Sequence, residues 1–176
     1  MPAAFDARRL DLVRFAADAA RLEGAWPVAA FERLAADAPP QAEVPWSVRG
    51  ESRPVAGGAP ETWLHLDARA TVTLQCQRCL QAMAQPLAVA RSFRFVADEA
   101  EAERLDEESD DDVLALPPRG RLDLLPLVED ELILALPLVP RHEVCPEPLP
   151  LPADDRADER VEHPFAKLAA LTKAPN

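Results

Sequence analysis

The stretch TWLHLDARATVTLQC, residues 62–76, alternates apolar and polar side chains and decides the fold. Apolar residues occupy the even positions from Leu64 to Leu74, and polar residues occupy the odd positions from His65 to Gln75. In a β-strand successive side chains point to opposite faces of the sheet. The period of two therefore predicts a long strand with one buried face and one solvated face.

A second alternating segment follows after a short connection. Apolar residues alternate with small or polar ones from Leu87 to Phe95, which predicts a partner strand. Two such strands in succession form a hairpin, and this pairing places Cys76 and Cys79 at its tip.

Helical spacing of apolar residues predicts two helices before this hairpin and one after it. The first two lie at residues 7–23 and 27–37. The third spans residues 124–136, where Asp123 supplies an N-cap and Pro126 lies in the first turn, a position that needs no backbone donor. This helix is apolar nearly all round, which predicts burial against the sheet.

Two shorter strands complete the predicted sheet. Residues 44–48 alternate in polarity, and Pro45 assigns them to an edge strand because proline cannot donate to a central ladder. Residues 113–116 predict a brief strand near the end of the sheet.

Together these elements predict an α+β fold with N-terminal helices, an antiparallel sheet with a central long hairpin, one buried helix packed on the sheet and a flexible C-terminal tail. The 176 residues suffice for one ordinary domain, which we predict at residues 1–145. Alternating prolines begin residues 146–176, which predicts a mostly flexible tail with a short amphipathic helix at 164–173.

The formal net charge is −12, which disfavours a general basic surface for nucleic acid or for anionic lipid. Much of this charge lies in residues 98–112, which contain ten acidic side chains and one arginine. A block of like charges repels itself, so we predict a solvated, disordered insert there. No apolar stretch approaches the roughly 20 residues of a membrane-spanning helix, and charged residues interrupt any signal-peptide core. We therefore expect a cytoplasmic protein without a membrane partner.

Three cysteines, an odd number, favour free thiols or metal ligands over a disulfide framework. Cys76 and Cys79 form a CxxC pair whose hairpin turn directs both thiolates at one point, as in a zinc knuckle. His142 and Cys145 form a second pair with two intervening residues. Three sulfurs and one imidazole complete a tetrahedral set. The sequence therefore predicts one structural zinc that joins residues 140–145, here called the 140s segment, to the hairpin.

Two alternatives to this site remain open at the level of sequence. In one, Cys76 continues the buried face of its strand, while Cys79 and Cys145 are small loop residues. In the other, a catalytic zinc cuts RNA, which requires an open coordination position and a general base, and His65 and Glu143 are the candidates for that base.

The sequence has no phosphate-binding glycine loop, nucleophile elbow, HExxH motif or EF-hand loop, so we predict no enzyme and no small-molecule substrate. Arg69 and Arg94 fall on solvated strand faces, and Arg78 lies at the hairpin tip. These three arginines are candidate contacts to RNA phosphates. The competing interpretation is an ordinary solvated face, because no exposed aromatic residues lie between them.

Four sequence blocks resemble the YceD family, proteins that support accumulation of large-subunit ribosomal RNA in bacteria. The most specific blocks are VTLQCQRCL at 72–80 and DLLPLVEDELILALPLVPRHEVC at 123–145. They are supported by RLEGAWPVAAFERLA at 21–35 and HPFAKLAAL at 163–171.

The resemblance implies a non-enzymatic factor in the synthesis, processing or stability of large-subunit ribosomal RNA. It assigns no catalytic residue. An acidic protein of this kind is expected to reach the RNA or its precursor directly, or through a basic ribosomal protein or RNA-processing enzyme. Glu129, Asp130 and Glu131 are the candidate docking acids, and the alternative function is a zinc-dependent RNA hydrolase or nuclease.

Overall fold

A mixed α+β fold with a central five-stranded sheet is seen in the computed structural model, which describes residues 5–34 and 42–146. The strands among these residues are β1 (Leu10–Asp11), β2 (Arg21–Pro27), β3 (Glu43–Arg53), β4 (Glu61–Gln75), β5 (Ala82–Val96), β6 (Asp112–Ala115) and β7 (Arg121–Leu122). The helices are α1 (Leu12–Ala17), α2 (Glu99–Glu108) and α3 (Leu124–Leu134). The sheet order is β2-β3-β4-β5-β6, antiparallel except for the parallel pair of β5 and β6, while β1 and β7 form a separate two-stranded pair.

The predicted central hairpin is confirmed as β4 and β5. The two strands pair from Thr62 opposite Phe95 to Gln75 opposite Ala82. The even positions of β4 from Leu64 to Val72 are buried, as the alternation predicts. This pairing carries residues 76–81 to one end of the sheet.

The hydrophobic core lies between the even-numbered face of β4 and the helices α1 and α3. Phe15 of α1 and Leu132 of α3 are fully buried there, together with Leu64 and Leu66 of β4. The predicted buried helix is therefore confirmed as α3, and its N-cap is Asp123, whose Oδ1 accepts a hydrogen bond from the Leu125 amide at 3.1 Å.

The N-terminal helices are shorter than predicted. Of residues 7–23, only Leu12–Ala17 is α-helical, and Ala19 then takes a left-handed conformation with φ of 45°. Arg21–Pro27 instead pairs with β3 along seven residues, and the sheet therefore overrides the helical spacing. Of the predicted second helix, Val28–Ala30 forms one 3₁₀ turn, and residues 35–37 lie outside the described residues.

The prediction that residues 44–48 form an edge strand is wrong, because β3 lies between β2 and β4. The Gly50 amide donates to the Ala20 carbonyl, so even-numbered residues of β3 direct their N–H groups at β2. The backbone nitrogen of Pro45, an odd-numbered residue, therefore faces the β4 side of the strand. The ladder with β4 begins only at Trp46, so no donor is needed at Pro45.

The acidic segment 98–112 contains helix α2, so the prediction of a disordered insert is wrong for these residues. The Asp98 carboxylate caps the helix by accepting from the Glu101 amide at 2.9 Å. Acidic residues near a helix N-terminus also interact favourably with the helix dipole. Ala102 packs with Leu105, Val96 and Val113, which anchors an otherwise exposed helix to the sheet.

The chain divides into two units, Met1–Cys145 and Pro146–Asn176. The predicted tail, from residue 147 onward, lies outside the described residues. Among the residues that are described, no helix is both long and apolar enough to cross a membrane.

Candidate metal site at the hairpin tip

The four ligands predicted from the sequence lie together at the tip of the β4–β5 hairpin. The ligand atoms of Cys76, Cys79, His142 and Cys145 all lie within 4.8 Å of one another. The two cysteines of the tip are buried, whereas His142 and Cys145 are partly exposed. These four side chains are close enough to hold a metal ion.

The tip is a tight turn that fixes the first pair of ligands. The Cys76 amide donates to the Gln81 carbonyl at 2.9 Å, and the Leu80 amide donates to the Cys76 carbonyl at 2.9 Å. Leu80 has a φ of 61°, the left-handed conformation that costs a side-chain-bearing residue about 1 kcal/mol. Such conformations persist where the surroundings impose them. Here the turn brings Cys79 back towards Cys76.

The second pair of ligands arrives on the segment that follows α3. The Gln77 amide donates to the Pro140 carbonyl at 2.9 Å, which joins this segment to the tip. The His142 amide lies 3.4 Å from Cys76 Sγ. These hydrogen bonds hold the segment that carries His142 and Cys145 beside the tip.

Two of the distances between the ligand atoms are close to those of a tetrahedral zinc site. Zinc–sulfur bonds of about 2.3 Å place two sulfurs of a regular tetrahedron about 3.8 Å apart, and a sulfur and an imidazole nitrogen about 3.6 Å apart. The observed separations are 3.9 Å from Cys76 Sγ to Cys145 Sγ and 3.3 Å from Cys79 Sγ to His142 Nδ1. The donor set of three sulfurs and one nitrogen is one that zinc favours in structural sites.

The pKa values of the two cysteines of the tip shift in opposite directions. Burial works to raise the pKa of Cys76, but the backbone amides of Cys79, His142 and Arg78 lower it to about 5. Burial raises the pKa of Cys79, and the neighbouring thiols reinforce this rise. The amides around Cys76 thus stabilise a thiolate, the form in which cysteine binds metal.

Comparison with known protein families matches residues 64–172 to the family described as "Large ribosomal RNA subunit accumulation protein YceD". This range covers more than half of the chain and contains all four candidate ligands. The chain belongs to the YceD family. Family membership confirms the resemblance carried by the two cysteine-containing blocks.

A YceD relative from Haemophilus influenzae carries the same description, "Large ribosomal RNA subunit accumulation protein YceD". It is 42% identical over 71 residues, which are 40% of this chain and 40% of the relative. The matched region therefore spans less than half of that relative's length. No solved structure matches this chain.

The arginines predicted as RNA contacts occupy three different environments in this YceD-family protein. Arg78 donates from Nε to Cys145 Sγ at 2.9 Å and from Nη2 to the His142 and Glu143 carbonyls at 3.1 and 3.3 Å. The Arg78 guanidinium is thus engaged at the candidate metal site, and its contact to RNA remains a prediction. Sequence reasoning missed these contacts because Arg78 and its partners lie 64 to 67 residues apart in the chain.

The two other arginines lie on the face of the sheet opposite the core, and they differ in exposure. Arg94 is mostly buried and forms an ion pair with Glu61 at 2.9 Å. Arg69 is exposed and has no ion pair among the residues that the structure describes. Arg69 therefore remains the candidate with a free guanidinium, and its contact to RNA remains a prediction.

The three candidate docking acids separate on α3. Glu129 is buried and accepts hydrogen bonds from the Arg33 and Leu34 amides at 2.7 and 3.2 Å, so it supports the 31–34 turn and is not available to a partner. Asp130 is exposed and pairs with Arg33 at 2.6 Å. Successive helical residues point about 100° apart, so three adjacent acids cannot share one exposed strip. This geometry could have shown from the sequence alone that the three acids do not all face one partner.

The pKa values of the two buried acids shift in opposite directions. Burial works to raise the pKa of Glu129, but the amides of Arg33 and Leu34 and the Arg33 guanidinium lower it below its ordinary value. For Glu131, burial raises the pKa above its ordinary value, and the nearby Arg91 offsets only part of this rise. Arg91 Nε lies 3.4 Å from the Glu131 carboxylate. Glu131 therefore carries a charge that its surroundings stabilise incompletely.

The two candidate general bases lie at different places in the structure: His65 is far from the tip, whereas Glu143 belongs to the segment that carries His142. His65 Nε2 lies 2.6 Å from Glu51, and Nδ1 lies 2.8 Å from Ser92. His65 precedes Cys76 by eleven residues on one strand, which corresponds to roughly 35 Å. The Glu143 side chain is exposed, and its carbonyl accepts from Arg78.

Proposed function

We propose that this protein supports the accumulation of large-subunit ribosomal RNA as a non-enzymatic adaptor in the cytoplasm. The observation that carries the proposal is the family match over residues 64–172. The Haemophilus influenzae relative is named a large ribosomal RNA subunit accumulation protein.

The adaptor mechanism is supported by the donor set at the hairpin tip. A catalytic zinc keeps one coordination position for water or substrate, whereas a structural zinc has four protein ligands. Cys76, Cys79, His142 and Cys145 supply four protein donors. A zinc ion bound by all four would hold the 140s segment on the hairpin and would leave no position for an attacking water.

The charge distribution supports a basic partner. The net charge of −12 and the acidic surface of α2 attract basic proteins and repel the phosphate backbone of RNA. We therefore favour contact with the large-subunit RNA or its precursor through a basic ribosomal protein or RNA-processing enzyme. Asp130 is the exposed acid of α3 that remains available for such a contact.

The test is the ratio of large-subunit to small-subunit ribosomal RNA in cells that lack this protein. A selective fall in the large-subunit RNA, restored by the wild-type copy, is the expected result. Cells that carry Cys79→Ser should resemble the deletion, because the metal site holds the fold together. An unchanged ratio in the deletion strain would contradict the proposed function.

An assay of the purified protein on RNA distinguishes the adaptor from a zinc-dependent RNA hydrolase or nuclease. The purified zinc-loaded protein is expected to leave precursor ribosomal RNA intact. Cleavage that persists through purification to homogeneity, stops on chelation and disappears in Glu143→Gln would replace the adaptor by the enzyme.

A further inference from the structure

One edge of strand β5 has no strand beside it over most of its length. β6 pairs with β5 only from Phe93 to Val96, although β5 begins at Ala82. Among the described residues, no other strand pairs with the edge from Ala82 to Ser92. An unpaired edge of this length offers a row of backbone donors and acceptors to an added strand.

Two hydrogen bonds establish which residues face this open edge. The Gln81 carbonyl accepts from the Cys76 amide, so odd-numbered residues of β5 face β4. The Val96 carbonyl accepts from the Leu116 amide, so even-numbered residues face the opposite side. The residues that face the open edge are therefore Ala82, Ala84, Pro86, Ala88, Ala90 and Ser92.

The residues of the open edge carry few of the features that usually prevent strand addition. Proteins protect exposed edges with lysine side chains, bulges or proline. Here Pro86 serves in this way, the charged Arg91 lies beside the Ser92 end, and the side chains at Ala84, Ala88 and Ala90 are small. Within residues 5–34 and 42–146, no group accepts a hydrogen bond from the amides of these three alanines, so an incoming backbone can pair with them.

Cavities lie at both ends of the open edge. At the Ala82 end, a cavity of about 670 Å³ is bordered by Met83 and Val144, and Val144 is 83% exposed. At the other end, a cavity of about 370 Å³ is bordered by Arg91 and by Leu134, which is 75% exposed. An added strand would cover apolar surface at each end.

The second cavity, here called the acidic groove, determines the chemistry of the partner. Its lining contains the carboxylates of Glu99, Glu103, Asp106, Asp112 and Glu131, against the single guanidinium of Arg91. Glu131 is buried within this set, and burial raises its pKa. An arriving lysine or arginine would supply the positive charge that the groove lacks.

We propose that an extended basic segment of a partner protein adds as a strand to the edge of β5 between Ala82 and Ser92 and places its cationic side chains in the acidic groove. This inference rests on the adaptor part of the proposed function, for which it names the partner chemistry and the surface. The peptide experiment below measures the edge itself, and the ribosomal RNA ratio measures the cellular role, so either can fail without the other.

The test uses the full-length ¹⁵N-labelled protein and a synthetic peptide in which lysine alternates with valine. The expected result is a shift of the amide signals of Ala84, Ala88 and Ala90, because their N–H groups gain acceptors. A peptide in which glutamate replaces lysine should not bind. Shifts confined to α2, or shifts along β2, would overturn the proposal.

Variants test the backbone and the charge separately. Ala88→Pro removes one outward donor and should weaken peptide binding about tenfold, whereas Ala88→Thr keeps the donor and should bind normally. Glu103→Lys in the acidic groove should also weaken binding, while Glu107→Lys, which does not line the groove, is its matched control. Equal affinity for all four variants would overturn the proposal.

Measurements without peptide test two other occupants of the edge, which are a second copy of the chain and a segment of the same chain. Concentration-dependent shifts at Ala88 would show that a second copy of the chain pairs there. Slow hydrogen exchange at Ala84, Ala88 and Ala90 in the dilute protein would show that the chain covers its own edge. Either outcome would overturn the assignment of a partner protein to this surface.

Discussion

The guanidinium of Arg78 donates a hydrogen bond to Sγ of Cys145 at 2.9 Å, although 67 residues separate them in the chain. The same guanidinium binds the carbonyls of His142 and Glu143. Arg78 thus lies between the two ligand pairs and positions the second pair relative to the first. Partners of this kind outside the ligand set orient metal ligands and tune their affinity.

Arg78→Lys is expected to weaken zinc binding about tenfold. A lysine ammonium cannot reproduce the planar fork that reaches one sulfur and two carbonyls at once. The measurement is competition for zinc with a chromophoric chelator. Arg69→Lys is the matched control, because Arg69 is exposed on the sheet, and it should retain wild-type affinity. Equal zinc affinity in both variants would show that Arg78 does not position the site.

Removal of the metal is expected to lower the melting temperature by about 10 °C, because binding at a closed site is coupled to folding. The purified protein should contain about one zinc ion per chain. Cys145→Ser should lose the metal and should then show no further change on chelation. A metal-free protein with the same thermal stability would contradict a structural zinc.

The β4–β5 hairpin and the two candidate ligand pairs could be predicted because each of them has a local sequence pattern. The period of two in residues 62–76 fixes the strand, and the CxxC spacing fixes the tip. A second ligand pair just past the buried helix could be matched to the tip by donor chemistry alone.

The remaining differences between the predictions and the structure arise from contacts between residues that are distant in sequence. Helical spacing assigns residues 21–23 to the first predicted helix, yet residues 21–27 pair with β3 and stack Trp26 on Trp46, with ring centroids 4.4 Å apart. Residues 98–112 appear self-repelling in isolation, but Ala102 is buried against the sheet. The role of Glu129 depends on the Arg33 and Leu34 amides, whose positions no local pattern predicts.

Glu129→Gln is expected to lower the free energy of unfolding by about 2 kcal/mol, because it weakens charge-assisted hydrogen bonds to buried amides. Asp130→Asn removes an exposed ion pair with the same Arg33 and should cost less than about 0.5 kcal/mol. Chemical denaturation at neutral pH measures both. Equal losses would mean that the Glu129 amide contacts do not support the 31–34 turn.

The lowered pKa of Glu129 also predicts the direction of its pH dependence. A carboxyl whose pKa is lower in the folded state stabilises the protein above its ordinary pKa of 4.5 and loses this contribution as the pH falls through the folded value. The difference in stability between wild type and Glu129→Gln should therefore shrink as the pH is lowered below 4.5. A difference that grows with acid would contradict the assignment.

Gly50→Ala is expected to destabilise the protein by about 3 kcal/mol, because overpacking against a backbone cannot be relieved by a side-chain rotation. A Cβ at residue 50 would lie 2.5 Å from the carbonyl oxygen of Phe15, which α1 holds against β3. Gly58→Ala is the matched control in a loop, where the nearest heavy atom would be 3.7 Å away, and its effect should stay within about 0.5 kcal/mol. Thermal and denaturant unfolding compare the two variants. A stable Gly50→Ala would mean that α1 can move away from the sheet without loss of the core, and the packing of Phe15 would then contribute little to the fold.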